Sequence, residues 1–301
     1  MTTMGLGGLV ASLYSEKPSC TLYHYTSLGA LLNIVPTKAI RATEIRYFSD
    51  FAEGRHGAEL LAIAIDHERT MGRLPTDPFS VRLFSQFLTW LHYLLNGGPR
   101  VFAACFTPKG NLLSQWRGYC PPAKGVSLGF APDPLCAAAE SQRPTFRVGK
   151  CIYERDKQLD IVTAIISGVS ELARTKGEDT KAQPIWSFTH IFREIENDLL
   201  HVVALLKDNS FHEEEEWRFV SVVERHEDAP IRYREGTSTL VPFVDFKLPM
   251  AAPGGPDLDR VIIGPTPHVD NSKSAIESFL SKSGTPSENK VWYCEIPYRT
   301  W

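Results

Sequence analysis

The sequence predicts an α+β fold in which a mixed or mainly antiparallel sheet carries a helical middle section packed on it. Segments with a two-residue period gather toward both ends of the chain, and the stretch between them repeats its apolar residues at helical spacing. Strands and helices do not alternate regularly, which argues against a doubly wound parallel sheet. We therefore expect a single domain over residues 1–301, with residues 154–209 as a helical insertion within it.

Taken in order, Gly5-Leu6-Gly7-Gly8 follows no strand and lacks dinucleotide-fingerprint spacing, so it reads as a flexible start. Leu22 to Thr26 alternates as a strand that puts His24 on the face opposite Tyr23 and Tyr25. Ser27 is placed to cap a short apolar helix, Leu28 to Val35, which Pro36 should end. A short strand is expected at Ala39 to Thr43. Helices follow over Gly54 to Met71 and from Asp77 or Ser80 to Asn96, where Asn96-Gly97-Gly98-Pro99 is a strong stop.

Arg100 to Phe106 reads as a buried strand, and Gly125 to Phe130 and Thr145 to Tyr153 as two more. Ser114 to Tyr119 falls between the first two as a polar loop or short turn. Leu159 to Leu172 and Ile185 to Leu206 have helical spacing, with a charged break at Thr175 to Pro184. Strands return at Trp217 to Val223, Ile231 to Tyr233, Thr239 to Phe246, Arg260 to Gly264 and Val291 to Pro297. A helix near Asn271 to Ser281 precedes the last.

The chain has 301 residues, 43% of them hydrophobic, enough to bury a substantial core. A formal charge of -3 with no basic stripe argues against extended binding to duplex nucleic acid. The six cysteines form no Cys-x-x-Cys, which suits a reduced compartment. The N-terminal segment has no positive leader, and its apolar run is too short to span a bilayer. The expectation is a cytoplasmic protein with no membrane association.

Three segments carry dense polar chemistry. In Phe211-His-Glu-Glu-Glu-Glu-Trp-Arg-Phe219, four carboxylates run into a strand, so Glu216 should sit at the strand edge. Glu214 would share its face if extension begins early. In Ser114-Gln-Trp-Arg-Gly-Tyr119, Arg117 can fork onto a phosphate, with Gln115 and Trp116 beside it. Alternatively, Arg117 clamps the glutamate run while Trp116 fills the core. In Leu22-Tyr-His-Tyr-Thr-Ser27, His24 can donate to a ribose hydroxyl, with Thr26 and Ser27 adding contacts. Tyr25 or Tyr47 can offer a stacking face. Gly125-Val-Ser127-Leu-Gly129 has the letters of a nucleophile elbow, but reads as a strand rather than a strand-to-helix turn. No metal-ligand spacing is present, and no metal is expected.

These segments, with Arg46-Tyr47, Asp50, Glu53, Ile262-Ile-Gly-Pro265 and Ile296-Pro-Tyr-Arg299, resemble the bacterial family known as domain of unknown function 2971. The family name implies no activity. More distantly, a strand bearing His-Tyr-Thr ahead of a short helix resembles the start of ADP-ribosyltransferase-type folds. That resemblance implies NAD as substrate, His24 holding its ribose, and Tyr25 or Tyr47 against nicotinamide. With Arg117 expected on the diphosphate by its own fork chemistry and Glu214 among the ligand contacts, the resemblance makes Glu216 the late carboxylate beside the reacting ribose. It also implies a protein, nucleic-acid or water acceptor, and a role as a toxin or phage-defence effector. The alternative is a non-catalytic module that binds a nucleotide or a partner.

Overall fold

The computed structural model describes residues 5–48, 53–72, 74–223, 230–252 and 254–298; the side chains of residues 53–58 and of Leu95 lie outside that description. Asp50 and Arg299, named above, therefore fall outside it, as does the side chain of Glu53. The elements in chain order begin with α1 (Leu6–Leu13), β1 (Leu22–Ser27), α2 (Leu28–Thr37), β2 (Ala39–Glu44), α3 (Glu53–Thr70), α4 (Pro78–Gly97) and β3 (Arg100–Phe106). Then come α5 (Leu113–Tyr119), β4 (Gly125–Phe130), α6 (Pro132–Ser141), β5 (Arg147–Lys150), α7 (Arg155–Lys176) and α8 (Thr189–Val203). The chain closes with β6 (Trp217–Val223), β7 (Arg232–Glu235), β8 (Leu240–Lys247), β9 (Arg260–Ile263), α9 (Val269–Lys282) and β10 (Val291–Tyr293).

The strands form two sheets. One has the order β1-β4-β9-β10 and is mixed, because β9 and β10 run parallel. The other, β5-β6-β3-β2-β8-β7, is antiparallel throughout. Alternation along the strands decides what covers each face of the larger sheet. Val101, Ala103 and Val220 pack against α1, α3, α4, α7 and α8. Phe102, Phe106 and Phe219 face the other way, into a core shared with the smaller sheet, α2, α6 and α9. The six-stranded sheet is thus the central layer, and the helices of residues 154–209 share their core with α3 and α4.

Several expectations need correction. The Gly-rich start is helical from Leu6, because Val10 anchors in the core and α1 packs on α7 and α8. Pro36 does not end α2, since a proline in the last turn forfeits a single backbone donor. The helix closes instead at Lys38, left-handed at φ 58°, whose N–H donates to the Ile34 carbonyl. Residues 113–119 form helix α5 rather than a loop, held by Gln115 and Trp116 buried on its inner side. The strand expected over 145–153 stops at Lys150, after which the Ile152 N–H turns to the Leu205 carbonyl at the end of the helical layer. Helix α6 is an addition to the elements expected.

A local split in the central sheet positions the site. Strand β2 pairs with β8 along Ala39–Thr43 but with β3 only at Thr43 and Glu44. Strand β1 meets β3 at the single antiparallel bridge of Tyr23 and Thr107. Between those two attachments, the edge of β3 at Ala104 and Cys105 has no strand neighbour on that side among the described residues. Its polar groups need other partners. The split opens the molecule there.

Candidate active site

A cleft of about 600 Å³ fills the split, bounded by β1 and α2 on one side and by β2, β3, β7 and β8 on the other. The Cys105 carbonyl, left without a strand partner by the departure of β2, is taken by His24, whose Nδ1 lies 3.0 Å away. A carbonyl only accepts, so Nδ1 carries the proton. Burial pushes the imidazole pKa down, with the Cys105 carbonyl opposing it, which keeps the ring neutral. Nε2 is then an acceptor. This corrects the expected role of His24: it can receive a hydrogen bond from a ligand hydroxyl, but it cannot donate one.

Glu216 and Glu214 line the same cleft together with Lys207. They do not meet through strand periodicity. Residues Asn209–Glu214 form a 3-10 turn capped by Asp208, and Glu215 then takes a left-handed conformation at φ 45° before β6 begins. The reversal brings one oxygen of each carboxylate to within 2.6 Å of Lys207 Nζ. Glu216 also receives Nε of Arg218 at 3.1 Å, and Arg218 donates to the Ala204 carbonyl at the end of α8. Lys207 is only 1% exposed, and its ammonium lies 4.9 Å from the Phe211 ring.

Burial alone would raise the Glu216 pKa. Arg218 and Lys207 outweigh that penalty, and the Cys105 thiol adds a hydrogen bond, so the carboxyl is held well below the usual carboxylate range. Two carboxylates and two cations therefore form a charge-balanced, desolvated floor. Balanced buried ions of this kind add little net stability, but removing one of them is expensive.

The remaining expected site residues divide between the cleft and its surroundings. Thr26, Ser27, Tyr47 and Gln115 line the cleft. The Ser27 hydroxyl is already committed, accepting from the Ala30 N–H as the cap of α2. Tyr25 also borders the cleft, but its phenol donates to the Lys109 carbonyl and accepts from the Leu112 N–H, while its ring meets Trp116 edge-on. Tyr25 therefore pins the loop after β3 rather than offering a stacking face. Tyr47 is 40% exposed and is the better placed of the two tyrosines for an aromatic ligand.

Trp116 and Arg117 fall outside the cleft. Trp116 is buried with Tyr23, Tyr25 and Ile262, and its indole N–H donates to Asn111. Arg117 is exposed and lies over the Tyr298 ring at 4.7 Å, clamping the C-terminal segment. Neither expected role holds for this guanidinium: it reaches neither the cleft nor the glutamates. A helix explains the miss, since one turn of α5 sends Gln115 and Arg117 in different directions. Ser127 of the elbow-like motif is fully buried inside β4.

Lys207 and Arg218 are the site residues that sequence reasoning missed. Arg218 was within reach, because Glu216 and Arg218 are two residues apart at a strand start and so share a face. No local signal marked Lys207. Among the described residues, no group of three His, Cys, Asp or Glu is assembled to hold a metal ion, and no helix is long and apolar enough to cross a membrane.

Fold and site together define an α+β protein with a polar cleft at the seam of two sheets, floored by the buried carboxylates of Glu214 and Glu216 around Lys207. Residues 115–219 match the model of the family described as Protein of unknown function (DUF2971), the family that the sequence motifs resemble. The matched stretch runs from α5 into β6 and so includes Lys207, Glu214 and Glu216, while His24 and Tyr47 lie before it. No curated protein and no solved structure matches the chain.

Proposed function

We propose that the cleft binds NAD and cleaves the bond between nicotinamide and ribose, in the manner of an ADP-ribosyltransferase or NAD glycohydrolase. One observation carries this reading: His24 from the first strand and Glu216 from the entrance to the sixth line the same cleft. A neutral imidazole with a free acceptor nitrogen suits a ribose hydroxyl, and Tyr47 offers a ring for nicotinamide. In the reaction, the C–N bond breaks with its electron pair leaving on the nicotinamide nitrogen. Positive charge develops on the ribose ring. A carboxylate kept ionised in a desolvated site stabilises that charge without reorganising. A protein, nucleic-acid or water acceptor then adds to the anomeric carbon and loses a proton. Consumption of NAD would suit a toxin or phage-defence effector.

A second reading is favoured by the pairing of Glu216. Both of its oxygens are engaged by Arg218 and Lys207, as in an internal structural network. In that case, the cleft recognises a nucleotide without reaction. Incubating the purified protein with NAD and measuring free nicotinamide separates the two. Release by wild type, with loss in Glu216→Gln, supports cleavage. NAD binding without release assigns the module, and neither binding nor release removes both readings.

A further inference from the structure

At the arginine-lined end of the cleft, away from the carboxylate floor, we infer an anion site that takes the phosphate groups of a small ligand. Arg41 on β2 and Arg232 and Arg234 on β7 all line the cleft. Strand register brings them together: Arg41 sits opposite Asp245, and Arg232 opposite Phe243, on the shared neighbour β8. The guanidiniums of Arg41 and Arg232 both lie over the Phe243 ring, at 5.1 and 5.5 Å from its centroid.

Among the described residues, countercharge is scarce there. Asp245 is the one carboxylate at this end of the cleft among the described residues, and it is already shared. Arg232 reaches it at 2.8 Å and Lys247 at 3.6 Å. Arg41 and Arg234 have no carboxylate partner among the described residues. Burial, and then the charge of Arg41, push the Arg234 pKa down. Like charges gathered on one wall of a cleft repel, and an incoming anion relieves that repulsion.

Phosphate is the anion that fits best. Guanidinium forks bind its oxygens in pairs, and several can surround one group or a diphosphate. A cleft of this volume accommodates a nucleotide-sized molecule. The overall charge of -3 and the lack of a basic stripe argue against a nucleic-acid polymer as the occupant. The inference rests on the same cleft as the proposed function and adds to it the class of ligand. It does not depend on bond cleavage.

Calorimetric titrations with inorganic pyrophosphate, ADP and adenosine test it. Pyrophosphate should bind saturably, and ADP should bind at least about tenfold more tightly than adenosine. Arg41→Ala and Arg234→Ala should each weaken pyrophosphate by about tenfold. Asp245→Asn should tighten it, a gain that misfolding cannot imitate. ADP binding more tightly than pyrophosphate points to a nucleotide, and equal binding to a free phosphate compound; both support the site. Absence of saturable pyrophosphate binding to wild type, or unchanged affinity in the arginine variants, overturns it. Nicotinamide release without pyrophosphate binding removes this site alone, whereas pyrophosphate binding without release removes only the cleavage reaction.

Discussion

Replacing Lys207 with methionine tests the charge-balanced floor of the cleft. The ammonium is 1% exposed and lies 2.6 Å from each of two carboxylates that are themselves nearly buried. Methionine retains much of the side-chain volume, so the main change is electrostatic. Glu214 and Glu216 are left facing each other with Arg218 as the remaining cation of the cluster. Removing one member of a buried ion network costs roughly 3–5 kcal/mol, because an uncompensated charge stays in a poorly solvating environment. In a chain of 301 residues each kcal/mol lowers the melting temperature by about 1.6 °C, so Lys207→Met should fall by roughly 5–8 °C. The double variant Lys207→Met/Glu214→Gln removes one charge of each sign and should regain at least half of the loss. Lys157→Ala breaks an exposed pair with Glu154 and serves as the control, with an effect of about 0–1 kcal/mol. Thermal and urea unfolding at neutral pH provide the assay. A single variant that melts with the wild type, or a double variant no better than the single, would show that Lys207 does not balance the two carboxylates.

Other perturbations follow from the same geometry. The His24 pKa is lowered on folding, so below its ordinary value of 6.5 the unfolded chain binds a proton that the native ring refuses. Native stability should therefore decline as pH falls from about 6.5 toward the depressed folded value. His24→Gln should flatten part of that slope; His201, also buried with a lowered pKa, accounts for another part. An unchanged slope in melting temperature between pH 5 and 7.5, roughly the span over which histidine titrates, would contradict this assignment. Tyr25→Phe removes the hydroxyl that joins the Lys109 carbonyl to the Leu112 N–H and should cost about 1–3 kcal/mol in urea unfolding. Arg117→Ala should leave nicotinamide release and pyrophosphate affinity as they are, since its guanidinium lies on Tyr298 outside the cleft; a drop of about tenfold would restore the role expected from sequence.

Legibility in the sequence followed the range of the forces involved. Strands β1, β3, β4 and β6 were readable because alternating or continuous apolar residues mark them locally, and the Ser27 cap announced α2. Helix α5 was not readable. Its seven residues contain Gly118 and no side-chain cap, and what makes it helical is the burial of Gln115 and Trp116 against other strands. His24 stood out as a polar group within a strand and Glu216 as the last carboxylate before one, and both line the cleft. The expectation that Glu214 joins Glu216 was right in outcome but wrong in cause. The left-handed turn at Glu215 and the ammonium of Lys207, seven residues before Glu214, bring them together, not extended backbone. The anion end was illegible because Arg41 and the β7 arginines become neighbours only through the register of β8. The cleft itself depends on β2 parting from β3 after two residue pairs, a tertiary event with no local sequence mark.

The most direct measurement is a crystal structure of the wild-type protein soaked with a carbocyclic NAD analogue that resists cleavage. The nicotinamide-bearing ring should lie within hydrogen-bonding reach of His24 Nε2 and close to Glu216, with the diphosphate among Arg41, Arg232 and Arg234. Analogue bound on another surface, or in the cleft with its diphosphate against Glu214 and Glu216, would contradict that placement.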